Sequence, residues 1–322
     1  MWREMHNEIQ GPTHHISQMM KQADDANRLP SFKSDRYTIF SDYSGQHKTS
    51  RYQTYSFLIV NRNIADTYHY QARLYRLDNI NDGRVVSHKN LRDNKRMIAA
   101  RNILRLAKLY LSGTLVTIAV DNKLIRLTNG TKIEFAEGMD QGMVKAWNSL
   151  PAKTAEQTSR TVHFVSLLIS GLLPEDSEVT WITDNDEILN SKKRKTALYK
   201  VFKSISSMYL HHNMGNLWLG DANLDNDSKI IEDILCLPDL AAGSFCKCLN
   251  EGLLLIATNP RILMPKKSIN EKSLSILHSF SSPTWSEMTS FFFVLNSATD
   301  GIESYEYLVP NLRGSTPPLR NS

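Results

Sequence analysis

Cysteine is scarce in this chain: three in 322 residues, at Cys236, Cys246 and Cys248. Clustered and odd in number, they exclude a disulfide framework of the kind that staples small secreted domains, and no partner His or Cys stands at a zinc-ligand spacing. They read as buried, reduced thiols. Long apolar runs are also missing, none approaching the ~18–20 residues that a membrane-spanning helix needs. The polar start, Met1 to Gln10, lacks the apolar core of a secretion signal, so a cytoplasmic location and no membrane partner are expected. There is no internal repeat and no low-complexity tract. Neither sign of charge dominates: the net charge is +5, so where the charges lie matters more than their sum. What remains, 41% hydrophobic and 22% charged, is an ordinary globular composition in a chain long enough to bury a sizeable core.

Residues 1–34, with His14-His15 and paired methionines, show no sustained periodicity and read as a loosely attached extension with one short helix. Three stretches then carry strand signals. RYTIFSD at 36–42 alternates with period two, TYSFLIVN at 54–61 is an apolar run, and TYHYQARLYRL at 67–77 sets Tyr68, Tyr70, Ala72 and Leu74 against His69, Gln71, Arg73 and Tyr75. Together they predict an antiparallel three-strand meander, closed by the turn signal Asn81-Asp82-Gly83.

From 87 to 110 the period becomes helical, with Ile103, Leu106, Ala107 and Tyr110 on one face and Arg101, Arg105 and Lys108 on the other. TLVTIAVDN at 114–122 reads as a central parallel strand, 155–172 as a helix, SEVTWITDNDEI at 177–188 as a strand, 191–209 as a helix, and NLWLGDAN at 216–223 as a short strand. Pro238 is expected to initiate a small-residue helix, PDLAAGSFCKCLN. Beyond 251 the pattern is less legible, with a helix expected over 287–296. The chain thus divides into an extension (1–34), an α/β domain (35–250) and a C-terminal extension packed on the core (251–322).

Strands ending in acidic residues stand out. Asp42, Asp121 and Asp184, with Asp186 and Glu187 beyond, each close a strand, and Asp239 opens a late helix. Strands made parallel by right-handed crossovers would set these ends along one sheet edge, where open α/β sheets bind ligands. Oxygen-rich sites of that kind suit Mg²⁺ or Mn²⁺. The competing roles are local: Asp42 as a turn acceptor, and Asp184, Asp186, Glu187 and Asp239 as helix caps. Asp221, at the end of NLWLGD, is a weaker candidate.

The stretches IFSDYSG, TIAVDNK, TWITDNDE and CLPDLAAG occur in the order and spacing of motifs in the ribonuclease H-like superfamily, and the chain over residues 36–250 resembles its bacterial domain-of-unknown-function family 3800. The family's DESG, vvvDk, viDE and QlADliaG motifs differ here in having Tyr43 for Glu, and Cys236 and Pro238 for Gln and Ala. SHKNLRDNKR is similar to the family's Lys-containing segment but brings no Glu. The resemblance implies a ribonuclease H-like mixed sheet, an antiparallel meander plus parallel strands flanked by helices. It further implies a metal-dependent nuclease, in a mobile-element or phage-defence setting, with Asp42, Asp184 and Asp239 as catalytic metal ligands and Asp121 as the alternative third. A degenerate module that binds nucleic acid or a partner protein is the rival reading.

Basic residues point to a polyanionic partner, DNA or RNA. Residues 87–108 hold seven Lys and Arg against one Asp, and 191–203 hold six against none. Arg101, Arg105 and Lys108 on the first helix and Lys192, Lys193, Arg194 and Lys195 on the second are therefore candidate phosphate contacts, each face alternatively being merely solvated. Tyr43, Tyr52 and Tyr55 are candidates for stacking on unpaired bases. His211-His212 fits a surface pair better than a catalytic base, and Ser44 has no recognisable triad around it.

Overall fold

A computed structural model describes residues 2–3, 11–47, 49–62, 65–80, 84–124, 141, 145, 148, 150–183, 192–221, 228–251, 253–256, 262–265, 270–281, 288–299 and 301–307. Asp184, Asp186 and Glu187 lie outside them. A seven-stranded mixed sheet in the order β5-β4-β1-β2-β3-β8-β9 is built from β1 (Arg36–Ser44), β2 (Tyr52–Asn61), β3 (Gly113–Asp121), β4 (Glu178–Thr183), β5 (Leu217–Asp221), β8 (Met288–Ala298) and β9 (Gly301–Glu306). β1 pairs antiparallel with β2 and β2 with β3, while β4 runs parallel to β1, β5 to β4 and β8 to β3. β6 (Leu253–Ile256) and β7 (Ile262–Pro265) form a separate two-stranded ribbon.

Helices cover both faces of the sheet. On one lie α2 (Ala65–Asn79), α3 (Asn94–Tyr110), α6 (Ser228–Glu251) and α7 (Glu271–Ser281), enclosing Phe40, Leu58, Leu115, Phe245 and Phe292. On the other lie α1 (Pro12–Asp25), α4 (Ala152–Leu172) and α5 (Lys192–Tyr209), enclosing Ile39, Phe57, Val116, Phe164 and Phe293. Neighbouring residues of one strand thus feed opposite cores, as the pleat requires. No helix among the described residues is long and apolar enough to cross a membrane.

Three expectations change. The predicted third strand of the meander is helix α2, and β3 takes its place beside β2. Tyr68, Ala72, Arg76 and Ile80, spaced by four, are the buried residues, whereas Tyr70 is 59% exposed and Leu74 39%. Residues four apart share a face in both a strand and a helix, which is why the alternation misleads. The expected helix over 287–296 is strand β8; its Phe291, Phe293 and Leu295 enter one core and Phe292 and Val294 the other, the two-faced burial of a central strand. Finally, Pro238 does not start a helix but lies inside α6, where it removes one i→i−4 hydrogen bond. Asp239 is thus no N-cap.

The terminal segments belong to the same body. Ile16, Met19, Met20 and Ala23 of α1 are buried, Trp2 lies against α4 where any side chain at Gly171 would collide with its ring, and Arg28 forms two 2.7 Å hydrogen bonds to Glu306 of β9. The segment after 251 supplies β8 and β9 to the main sheet. All three cysteines are buried and free, and burial raises each thiol pKa.

His163 of α4 is half-buried beside Tyr209 of α5, 2.8 Å from its hydroxyl, and desolvation lowers its pKa to about 4, opposed by the nearby Glu156. The unfolded chain therefore binds this proton near pH 6.5 and the folded chain only near pH 4, so the neutral ring favours folding above that window and the contribution is lost as pH falls through it. Replacing His163 by Gln is expected to make stability less sensitive to pH between 6.5 and 4 by about 2–3 kcal/mol, read from urea unfolding at the two pH values.

Candidate functional site

Asp42 lies within β1, not in the turn after it: it pairs with Ser56 of β2, and the strand runs on to Ser44. Its side chain shares a face with Phe40 and so points to the α6 side of the sheet. The turn follows at Gly45, whose φ of +85° and whose approach to Tyr52 of β2 and Cys246 of α6 leave no room for a Cβ; one built there would stand 2.2 Å from the Tyr52 carbonyl oxygen. The small residues after the carboxylate thus let the chain turn tightly under α6.

Helix α6 lies across β1 and β2, tied by a hydrogen bond from Thr54 Oγ1 to the Ala242 carbonyl at 2.9 Å. It brings Asp239 to a cleft of about 920 Å³ that Asp42 also lines, together with Glu232, His88, Cys236 and Lys247. Each carboxylate is held by a backbone amide. The Tyr43 N–H donates to Asp42 Oδ1 at 2.6 Å, and the His88 N–H donates to Asp239 Oδ2 at 2.7 Å. His88 opens a short 3-10 turn (His88–Asn90) that seats on α6 at Gly243, where a Cβ would stand 2.3 Å from the imidazole. Burial, with Lys247 nearby, lowers the His88 pKa to about 4, so the ring is neutral at pH 7.

Of the sequence candidates, Asp42 and Asp239 share this cleft. Asp184 follows Thr183, whose pairing with Ser41 is the last described step of the β1–β4 ladder, and lies outside the described residues with Asp186 and Glu187. Asp121 is elsewhere: the row of Asp42 runs through Ser56 to Thr117, placing Asp121 two strands away and four positions further along β3. It is 1% exposed, lies 3.1 Å from Arg51 Nε and Nη2, and accepts from the Lys123 N–H at 2.9 Å. Asp221 ends β5 opposite Thr183. Among the described residues no three His, Cys, Asp or Glu side chains are grouped closely enough to hold a metal ion together.

Tyr43 faces away from the cleft core: its hydroxyl bonds Ser41 Oγ at 2.9 Å and Thr183 Oγ1 at 2.6 Å, and its ring meets Tyr55 edge-on. Tyr52 and Tyr55 are buried, which removes them as stacking surfaces. His212 lies within 2.8 Å of Arg3 Nη1, near the opposite ends of the strands.

The two basic stripes do not merge, because α3 and α5 cover opposite faces of the sheet. Arg101 donates from Nε to Ser275 Oγ at 2.9 Å and Arg105 is exposed, but Lys108 is buried, its pKa lowered to about 8 by that burial, and it does not present a surface charge. Lys192 is exposed and Arg194 and Lys195 are half-buried; the side chain of Lys193 lies outside the described residues.

Sequence reasoning passed over Glu232, His88, Lys89 and Lys247. Glu232 precedes Asp239 by seven residues, two helical turns, a spacing that puts both on one face once α6 is known to begin at Ser228. No family model matches the chain, and no curated protein matches it.

Proposed function

We propose that this protein is a divalent-metal-dependent nuclease of ribonuclease H-like design, cutting phosphodiester bonds in the cleft between β1 and α6. The observation that carries the reading is that Asp42, from the strand at the middle of the β3-β2-β1-β4-β5 order, and Asp239, from a helix laid across it, line one cleft. The antiparallel first three strands and parallel next two accord with the resemblance of the sequence motifs.

Carboxylate oxygens are the donors that Mg²⁺ and Mn²⁺ take, so the described pair fits such an ion, and Asp184 is the third ligand in this reading. A bound cation would supply Lewis-acid stabilisation of the phosphodiester and a nucleophilic water. The chain's own part is orientation. Amide donation from Tyr43 and His88 fixes the two carboxylates, and neutral His88 adds no charge of its own beside Asp239 at pH 7.

The test is cleavage of single- and double-stranded DNA and RNA by the purified chain with Mg²⁺ or Mn²⁺, and with a chelator in excess. Cleavage of at least one substrate, stopped by the chelator, is expected. Salt-sensitive binding without cleavage of any substrate under any metal would instead favour the degenerate binding module.

A further inference from the structure

A second, smaller cleft of about 130 Å³ adjoins the first and shares His88, Lys89 and Lys247 with it. Its lining includes four basic side chains from three segments: Lys89 and Arg92 in and just after the 3-10 turn, Lys247 on α6 and Lys272 at the start of α7, with no carboxylate in the wall. We propose that this cleft binds a backbone phosphate of a nucleic-acid strand, adjacent to the phosphodiester held at Asp42 and Asp239. The proposal rests on the reading of the larger cleft as the place where the strand is cut.

The charge there is supplied by side chains and not by helix amides. Asn270 Oδ1 already accepts from the Lys272 and Ser273 N–H groups at 3.1 Å, so the first turn of α7 is capped. Lys89 and Arg92 are exposed, and among the described residues neither side chain forms an ion pair. The acids around the cleft are engaged or outside the wall: Glu251 stands 3.8 Å from Lys247 and accepts from the Asn270 N–H at 2.8 Å, Asp93 accepts from the Lys95 N–H to cap α3, and Glu271 begins α7. Lys272 Nζ donates to the Arg92 carbonyl at 2.5 Å, which fastens two walls to each other.

Four cations converging on a concavity repel one another, and an anion relieves that repulsion. Because the walls are shared, a strand whose phosphate lies at Asp42 and Asp239 can continue over Lys89 and Lys247 into this cleft. A carboxylate pair that gathers a cation beside a basic cleft suits a polyanion bound in extended form, with one phosphate at each.

The experiment is binding of a fluorescent single-stranded oligonucleotide to the full chain in chelator, so that no cleavage occurs, across a salt series. The Lys89→Ala/Arg92→Ala double variant is compared with wild type and with Lys33→Ala/Arg36→Ala, changed at the end of β1 away from the cleft. Loss of this phosphate contact is expected to lower affinity about tenfold at low salt and to reduce the slope of log K against log salt by about 0.7, with the control variant unchanged. A slope and affinity equal to wild type would overturn the subsite, even if the protein cuts nucleic acid. A reduced slope in a chain that cuts nothing would leave the subsite standing and remove the nuclease reading.

Discussion

Asp239→Asn is expected to lower metal-dependent cleavage by roughly 10³-fold or more while changing unfolding free energy by less than about 1 kcal/mol. The substitution removes the charge and keeps an oxygen that can accept the His88 N–H, now found 2.7 Å from Oδ2. The local fold of the 3-10 turn on α6 is therefore retained, and what is lost is cation affinity. A bound cation contributes several kcal/mol to the transition state of phosphodiester hydrolysis, and about 1.4 kcal/mol is tenfold in rate, which gives the expected size. Asp42→Asn is expected to behave alike, because its carboxylate is also positioned by an amide, that of Tyr43. The measurement is initial cleavage rate at a Mn²⁺ concentration that just saturates wild type, beside urea unfolding of each variant. A cleavage rate unchanged in the Asp239 variant would remove that residue from the site.

The largest loss of stability is expected from Arg76→Met, about 3–5 kcal/mol. Arg76 of α2 and Asp233 of α6 are both buried, at 6% and 2% side-chain exposure, and their Nη2 and Oδ2 atoms are 3.0 Å apart. His69 Nδ1 is 3.8 Å from the same oxygen, too long for a strong bond. Removing the guanidinium leaves a desolvated carboxylate, whereas removing both charges does not. Arg76→Met with Asp233→Leu is therefore expected to recover most of the loss. Urea midpoints and slopes of wild type, single and double variants check this. A single variant within about 1 kcal/mol of wild type would mean that water reaches the pair.

The consequence reaches the cleft, since Asp233 and Asp239 stand on the same helix and Cys236 between them lines the cleft. The thiol of Cys236 donates to the Asp233 carbonyl at 3.0 Å, as does the Tyr68 hydroxyl at 3.1 Å. α2 therefore fixes α6 at the turn before the Pro238 interruption. The chain places a rigid polar anchor next to the point where helix hydrogen bonding is weakest.

Which of these features a sequence discloses depends on how local their cause is. The first strand was legible because the alternating apolar run over 36–42 has few other solutions, but its continuation past Asp42 to Ser44 was not, since Asp and Ser are ordinarily turn residues. The motif singled out Asp239, but its place in mid-helix was not legible, because Pro238 is ordinarily a start signal. α2 was misread since Tyr68 and Ala72 satisfy both periods, and only the partner surface of α6 decides between them. The burial of Lys108 and the gathering of Lys89, Arg92, Lys247 and Lys272 depend on contacts between distant segments, which no window of sequence contains.

The bond between Arg28 and Glu306 spans 278 positions of the chain. Helix α1 has part of its seat against β8 and β9, which are made long after it. During synthesis the part of this amphipathic helix that faces β8 and β9 stays uncovered until those strands have left the ribosome. A nascent chain stalled before residue 288 would hold β1 to β5 yet lack the strands that close this layer, making it a natural client for chaperones that bind exposed apolar helices.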